Sequence, residues 1–201
     1  MITKQNKKGS MLAGVLITLG IVLFVALMIG ACIAGTYNTL VQKDTTVEAQ
    51  FGNIQTAMER RLDLIPNLVS TVKGSANFEK DTQTQIAAMR GGIRDAKGVS
   101  DMQKVDTQMS SLISGINIQV EAYPELKSTA NFLALQDELT GSENRISWER
   151  NNYNDVVKEY KASVRSFPTN IIAGMFGFEQ SKWQTYESKE NASDAPIVDF
   201  S

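Results

Sequence analysis

The sequence predicts an all-α protein in which an N-terminal transmembrane helix is followed by an elongated antiparallel bundle of long helices. Three observations predict this fold. Residues 11–34 contain no charged side chain. Beyond them, apolar residues recur at spacings of three and four, which is the pattern of a helix with one buried face. No run of residues rich in β-branched side chains alternates between apolar and polar, so a sheet is not expected.

The uncharged stretch is long enough to cross a lipid bilayer. Its 24 residues make roughly 36 Å of helix, more than the roughly 30 Å of a hydrocarbon core. Thirteen of them are Leu, Ile, Val or Phe, and each favours insertion by roughly 0.3–0.6 kcal/mol. Lys4, Lys7 and Lys8 precede the span. The positive-inside rule therefore predicts residues 1–10 in the cytoplasm and the domain beyond the span outside.

Charge and composition exclude several kinds of function for the part beyond the span. All 22 acidic residues and 17 of the 20 basic residues lie there, which gives it a net charge of −5. An acidic domain does not attract nucleic acid, so nucleic acid is not expected as a partner. The chain has no histidine, and its one cysteine, Cys32, lies in the span. The external part thus lacks the side chains that most often serve as bases or nucleophiles near neutral pH.

The span itself carries two further signals. Ala26, Gly30 and Ala34 recur every four residues, and such small side chains let helices approach closely in lipid, which predicts a homo-oligomer. Residues 29–32, which end in Cys32, resemble a loose lipobox. An acylated lipoprotein that has lost residues 1–31 is therefore an alternative. The apolar stretch before Cys32 is longer than the 7–15 residues usual in signal peptides, which favours a retained transmembrane helix.

The helix of the span is expected to continue into a bundle domain that covers residues 36–187. Residues 37–41 contain neither glycine nor proline, and Lys73-Gly74 is a suitable helix end. Pro66 removes one backbone hydrogen bond, so a kink is expected there. The apolar stripe of this helix consists of Val47, Phe51, Ile54, Met58, Leu62, Ile65, Val69 and Val72.

Three further helices are predicted. The second begins near Asn77, and the third opens with a capping box at Ser100 and ends at Tyr123-Pro124. The fourth runs from about Glu125 to Phe167 and is stopped by Pro168. Their stripes consist of Phe78, Ile86, Met89 and Ile93; of Met102, Val105, Met109, Leu112, Ile116, Val120 and Tyr123; and of Phe132, Leu135, Leu139, Ile146, Tyr153, Val156, Tyr160 and Val164. Antiparallel packing of such stripes gives the predicted bundle.

The C-terminal part differs in composition. The segment 171–178 is apolar, too short to span a membrane, and interrupted by Gly174 and Gly177. It is predicted to cap one end of the bundle. The alternative is an interfacial or partner-binding patch, with Trp183 and Tyr186 as aromatic neighbours. Residues 188–201 are expected to be a disordered polar tail.

Several sequence blocks, taken in order, resemble the LemA family of bacterial proteins. They are Arg60-Arg61-Leu62-Asp63-Leu64-Ile65-Pro66-Asn67-Leu68-Val69, Val72-Lys73-Gly74, Ala122-Tyr123-Pro124-Glu125-Leu126-Lys127, Asn131-Phe132, Leu135-Gln136, Glu143-Asn144-Arg145-Ile146, Tyr153-Asn154, Phe167-Pro168 and Gly177-Phe178. The resemblance covers about residues 37–183. It implies an N-terminal membrane helix, a helical-bundle domain and a role at the cell envelope.

The polar residues of these blocks form the candidate site. They lie on long helices beside apolar stripes, so a structural network between helices is the favoured interpretation. In it, Arg145 is expected to pair across the seam with the first helix of the bundle. The candidates are Arg60, Arg61, Asp63, Asn67, Glu143, Asn144, Arg145, Tyr153 and Asn154.

The predicted function is that of a non-catalytic scaffold or adaptor, anchored in the cytoplasmic membrane through residues 11–34 and bound to an envelope protein that the sequence does not identify. No catalytic, cofactor-binding or metal-binding motif is found in the sequence. A metal-free envelope hydrolase is the alternative, because paired carboxylates perform acid–base chemistry and Asp63 and Glu143 are the candidates for such a pair.

Overall fold

The fold is described from a computed structural model that covers residues 5–71, 76–121, 124–127 and 129–187. No strand occurs in these ranges, so the predicted all-α fold is confirmed. The helices are α1 (Gln5–Thr71), α2 (Ala76–Asp95), α3 (Val99–Glu121), α4 (Pro124–Lys127), α5 (Ala130–Arg165) and α6 (Thr169–Phe176), followed by a short 3₁₀ helix (Gln180–Lys182).

Helix α1 joins the predicted span to the bundle without a break. Its residues 13–30 are exposed and strongly apolar, and they form a helix long and apolar enough to cross a membrane. Burial begins at Leu40 and recurs at Val47, Ile54 and Met58. The helix also continues through Pro66 to Thr71. One helix of 67 residues therefore contains both the exposed apolar stretch and a buried stripe of the bundle.

Helix α5 lies antiparallel to α1 along most of the bundle. Lys43 pairs with Glu159, Gln50 bonds to Glu149, and Arg61 pairs with Glu143, so α5 positions fall as α1 positions rise. Helices α2 and α3 pack on the C-terminal half of α1, where Gln55 bonds to the Ile93 carbonyl and Arg61 pairs with Asp106. The apolar stripe predicted for α3 is buried from Met102 to Val120.

The fourth predicted helix is two helices in the structure. Helix α4 ends at Lys127, and α5 begins at Ala130. The separation is explained by Thr129, which has an extended backbone and accepts a hydrogen bond from the Phe132 N–H at 3.4 Å. A threonine in this role begins a helix, because it satisfies a backbone N–H that has no partner within the helix. The prediction of one helix across this point was wrong.

Two smaller predictions also differ from the structure. Helix α3 begins at Val99, before Ser100, and the Asp101 carboxylate accepts a hydrogen bond from the Lys97 N–H at 3.2 Å. In α5, Val157 is fully buried, whereas Val156 only packs at the edge of the core. The predicted helix end at Lys73-Gly74, the residue Tyr123 and the tail 188–201 lie outside the described residues.

Helix α6 folds back against the bundle beside α1. Ile172 and Ala173 are buried, and Tyr37 of α1 packs its ring against Phe176 and Phe178 at 4.8 and 5.8 Å between centroids. The helix ends at Gly177, whose φ of 76° is left-handed and favours glycine. The predicted cap therefore lies at the end of the bundle that is next to the span.

Candidate functional site

A chain of charged side chains crosses the middle of the bundle. The Arg61 guanidinium of α1 pairs with Glu143 of α5 and lies 3.4 Å from Asp106 of α3. The other Asp106 oxygen lies 3.0 Å from the Arg150 guanidinium of α5. We call Arg61, Asp106, Glu143 and Arg150 the central ion network. It joins three helices by alternating charges, and the side chain of Arg61 is only 10% exposed.

Burial makes this network a determinant of how the helices fit together. Removing an arginine from water costs several kcal/mol, and carboxylates at bonding distance offset that cost. A slip of α3 or α5 along α1 would take one of these partners away from Arg61, because Asp106 and Glu143 come from different helices. The network therefore favours the observed register of α1, α3 and α5 over a slipped one.

Next to the central ion network, a buried carboxylate lies between α5 and α1. Glu149 of α5 is 3% exposed. Its side chain accepts a hydrogen bond from the Gln50 amide at 2.7 Å and pairs with Arg145, one turn earlier on α5, also at 2.7 Å. Both oxygens thus have a donor, which is the condition under which a buried carboxylate is tolerated.

Aromatic side chains pack next to these ion pairs, on the side nearer to the span. The Tyr153 ring packs on Phe51 at 6.0 Å and on the edge of Tyr186 at 5.6 Å between centroids. The Arg150 guanidinium lies 5.1 Å from the Tyr186 ring centre, a cation–π contact. Burial raises the pKa of Tyr153 to about 12. Burial also raises the pKa of Tyr186, while Arg150 acts in the opposite direction. Both phenols stay protonated at neutral pH and act by packing.

The structure brings together part of the set chosen from the sequence. Arg61 and Glu143 belong to the central ion network. Tyr153 packs on Tyr186 next to this network, and the Asn154 side chain bonds to the Tyr186 backbone. The exposed residues Arg60, Asn67 and Asn144 are not part of this network or of the aromatic group beside it.

The expectation for Arg145 needs correction. Its side chain is 62% exposed, pairs within α5 with Glu149, and stacks over the neighbouring Trp148 at 4.5 Å. It reaches α1 only indirectly, through the Glu149–Gln50 hydrogen bond. The reason is geometric: Glu149 lies four residues after Arg145, which places both on one side of the helix.

Sequence reasoning missed several members of the site, namely Gln50, Asp106, Glu149, Arg150 and Tyr186. One of them carried a signal. Glu149 lies three residues after Ile146 and four before Tyr153, which is a core position of the stripe, and a charged residue at such a position needs buried partners. Asp106 lies beside a stripe instead of on it, and Tyr186 follows the last helix in the described part of the chain. Nothing in their local sequence distinguishes these two.

The two carboxylates of the hydrolase alternative do not form a pair. Asp63 bonds to Arg90 of α2 at 2.6 Å, whereas Glu143 pairs with Arg61. Arg61 and Asp63 are two positions apart, so their side chains point about 200° apart around α1. Asp63 therefore faces α2, on the other side of α1 from Glu143. Among the described residues, no cluster of three His, Cys, Asp or Glu side chains is arranged to hold a metal ion.

The features singled out in the span lie on the exposed part of α1. Ala26, Gly30 and Ala34 are exposed, and no other described part of the chain approaches within 4 Å of the position that a Cβ would take on Gly30. Cys32 is an exposed free thiol. It lines an open cleft of about 390 Å³ that α1 forms with the end of α5 and the start of α6. The cleft is also lined by Gly35, Thr36, Thr39, Leu40, Ser163, Ser166 and Thr169.

An exposed apolar helix that continues into a helical bundle is typical of a membrane-associated helical-bundle protein. A family model agrees with this class. Residues 50–200 match the LemA family, and because this match covers most of the chain, the protein belongs to that family. The family resemblance of the sequence blocks is thereby confirmed.

Individual relatives show the same relationship. The chain is 26% identical over 160 residues to Protein LemA of Metamycoplasma hominis, an alignment that covers 79% of this chain and 69% of that protein. It is 24% identical over 188 residues to Magnetosome protein MamQ 2 of Paramagnetospirillum magneticum, with 81% and 68% covered. A MamQ protein of Magnetospirillum gryphiswaldense is 22% identical over 188 residues, with the same coverage. These similarities extend over most of both chains in each case.

Proposed function

We propose that this protein is a non-catalytic scaffold or adaptor of the bacterial cell envelope, which holds a protein partner at a fixed height and orientation above the membrane. The observation that carries the proposal is the continuity of α1. The helix passes from the exposed apolar stretch into the core without a break between Gln5 and Thr71. A rigid connection of this kind transmits position from the bilayer to the bundle, which a flexible linker does not.

The central ion network supports the same role. It spans α1, α3 and α5, so the three helices form one unit with the membrane helix. Long charged side chains that are locked between helices add rigidity at the cost of desolvation. A scaffold makes use of rigidity, and the site offers no cleft in which carboxylates converge on a substrate.

The proposed topology places residues 1–10 in the cytoplasm, residues 11–34 in the cytoplasmic membrane and the bundle outside. It rests on the lysines that precede the span. A reporter active only outside the cytoplasm, fused after Ser201, should be active, and a reporter active only inside should be silent. The reverse result contradicts the topology. A mature mass that lacks residues 1–31 and includes acyl chains on Cys32 would replace the transmembrane anchor with a lipid anchor.

Complementation separates the scaffold from the hydrolase. Cells that lack this protein, scored for any envelope defect of the deletion, should be restored by Asp63→Asn and by Glu143→Gln. A bundle of residues 36–201, exported without the membrane helix, should not restore them, because it has lost its fixed position. The melting temperature of each purified variant serves as the control for folding. Loss of complementation by a well-folded Asp63→Asn or Glu143→Gln protein, with complementation by the detached bundle, contradicts the proposal.

A further inference from the structure

Exposed apolar side chains are concentrated at the end of the bundle beside the span. Among the described residues beyond the span, nine large apolar side chains are exposed. Three of them, Ile118, Leu133 and Trp148, are scattered over α3 and α5. The other six lie in α6, just before it, or in the part of α1 at and one turn after Tyr37, which packs on Phe176: Tyr37, Val41, Phe167, Ile171, Met175 and Phe176. Scattered apolar residues are normal on a protein surface, but a contiguous group of this kind marks a contact site.

Helix α6 is apolar beyond the face that it buries. Ile172 and Ala173 face the bundle and are buried, whereas Ile171 and Met175, four residues apart on the adjoining face, are 56% and 69% exposed. Phe167, just before α6, is 82% exposed. The helix contains no charged residue. Its polar residues, Thr169 and Asn170, lie in the first turn. Because a helix with so little polar surface is normally buried or in lipid, the exposed side chains of Ile171 and Met175 need an apolar partner.

The position of α6 along α1 identifies that partner. The cleft that Cys32, Gly35 and Thr36 line is also lined by Ser166 and Thr169, so the end of α5 and the start of α6 lie level with the end of the span. Tyr37, which packs on Phe176, follows Ala34 by three residues, or about 4.5 Å of helix. The head-group layer on each side of a bilayer is about 5–8 Å thick. The face of α6 is therefore at the depth of this layer.

We infer that the outer face of α6, formed by Phe167, Ile171 and Met175, inserts into the interfacial layer of the same bilayer that α1 crosses. The occupant of this surface is lipid, and the apolar surface of α6 continues that of the span. Arg165, in the last turn of α5, is exposed beside it, where a guanidinium can extend to lipid phosphate. The bundle is thus held to the membrane at two places, which fixes its tilt as well as its height.

The Asp44 carboxylate keeps α6 and the following segment against α1. It accepts a hydrogen bond from the Trp183 indole N–H at 2.8 Å and pairs with Lys182 at 2.6 Å. The segment after α6 is therefore anchored to the same helix that carries the span. Together with the packing of Tyr37 on Phe176, this anchoring holds the chain against α1 both at the end of α6 and after it. The inference depends on the membrane anchoring of α1 and not on the scaffold role.

The test uses a polarity-sensitive fluorophore on the full-length chain in phosphatidylcholine vesicles. Cys32→Ser removes the native thiol, and Met175→Cys or Ile118→Cys adds one for labelling. The two positions form a matched pair, because Met175 is 69% and Ile118 is 68% exposed. Ile118 lies at the far end of the bundle, where the neighbouring Asn117 bonds to Gln136 near the start of α5. Circular dichroism confirms that both labelled proteins are helical.

The label at position 175 should emit at shorter wavelength than the label at 118. Its emission should also be quenched several-fold more strongly by lipids that carry a nitroxide near the head group. Equal, water-like emission and weak quenching at both positions would overturn the inference. Short-wavelength emission at 175 without quenching by the nitroxide lipid would also overturn it, because protein would then cover α6. Neither of these results affects the continuity of α1, on which the proposed scaffold function rests.

Discussion

Asn154 holds the backbone of Tyr186 by two hydrogen bonds. Its amide N–H₂ donates to the Tyr186 carbonyl at 3.0 Å, and its amide oxygen accepts from the Tyr186 N–H at 2.8 Å. An asparagine side chain matches a backbone peptide group in this way, because it offers one donor and one acceptor side by side. The pairing attaches the segment after α6 to α5 and positions the Tyr186 ring against Tyr153 and Arg150.

The first prediction follows from this pairing. Asn154→Ala should lower the free energy of unfolding by about 1–3 kcal/mol, since two hydrogen bonds are lost and the Tyr186 peptide group is left without a partner. Amide hydrogen exchange at Tyr186 should accelerate more than exchange in the middle of α5. Asn144→Ala, an exposed position on the same helix, is the control and should change stability by less than about 0.5 kcal/mol. Equal effects of the two substitutions would show that the Tyr186 contact contributes nothing.

The second prediction concerns three arginines of the candidate site. Arg61→Ala should lower the free energy of unfolding by about 1–3 kcal/mol, because it leaves Asp106 and Glu143 partly buried without a shared cation. This corresponds to roughly 2–4 °C of melting temperature per kcal/mol for a domain of this size. Arg145→Ala should cost only about 0–1 kcal/mol, because Arg145 is 62% exposed and Glu149 keeps Gln50 as a donor. Arg60, which is exposed, provides the neutral control.

A larger effect of Arg145→Ala than of Arg61→Ala would contradict this assignment. It would restore the expectation drawn from the sequence, in which Arg145 pairs across the seam. Urea unfolding of the four proteins, including Arg60→Ala, measures the order directly. The slope m, with which the free energy of unfolding falls with urea concentration, should be the same for all four proteins. Their free energies of unfolding can then be compared on a two-state basis.

The sequence predicted the parts of the fold that depend on periodicity. Core residues such as Met109, Ile116 and Ile146 recur at helical spacing. In α5 this spacing of apolar residues continues on both sides of Gly141. The break at Thr129 was missed, because a cap depends on the local backbone and on one hydrogen bond to Phe132. Such a bond does not change the spacing of the apolar residues before and after it, so the sequence pattern does not reveal it.

The site was less predictable than the core because its partners come from different helices. Arg61 was chosen from the sequence, but Asp106 is next to it only after α3 packs on α1. Charged residues beside an apolar stripe occur on most amphipathic helices, so the pattern does not distinguish those with a buried partner. Glu149, on the stripe itself, is the exception that the sequence could have revealed.

The third prediction compares two adjacent glycines in α2. A Cβ at Gly92 would lie 2.9 Å from Val105 Cγ2 of α3, whereas a Cβ at Gly91 has no atom within 4 Å. Gly92→Ala should therefore force α2 and α3 apart and destabilise the bundle by about 1–3 kcal/mol. Gly91→Ala should stabilise it by about 0.5–1 kcal/mol, since alanine favours a helix. Thermal unfolding should show a lower melting temperature for Gly92→Ala and a higher one for Gly91→Ala. Equal shifts of the two melting temperatures would mean that Val105 moves aside.

The fourth prediction is a loss of stability at alkaline pH. Burial, with smaller contributions from Asp44 and Glu179, raises the pKa of Tyr160 to about 12. An unfolded chain releases this proton near pH 10. The folded state therefore binds the proton more tightly, and this contribution to stability is complete below about pH 10 and is lost as the pH rises through about 12.

Tyr160→Phe isolates that contribution. The Tyr160 hydroxyl has no hydrogen-bond partner among the described residues, so phenylalanine replaces it without loss of a bond. The free energy of unfolding of this variant should fall less steeply than that of the natural protein between about pH 10 and 12. Parallel pH profiles for the two proteins would show that Tyr160 ionises in the folded state as easily as in the unfolded state.

The fifth prediction tests self-association through the apolar part of α1. Ala26, Gly30 and Ala34 lie on one side of the helix, and small side chains there allow a second copy to approach closely in lipid. Gly30→Ile should shift the protein towards monomer in mild detergent, because a branched side chain separates the two helices. Gly20→Ile is the matched control, since Gly20 is in the same span but lies roughly 80° away around the helix. Analytical ultracentrifugation distinguishes the outcomes. If both variants keep the mass of the natural protein, helix association through this side is ruled out, and if both become monomers, the interface is wider than the stripe of small residues.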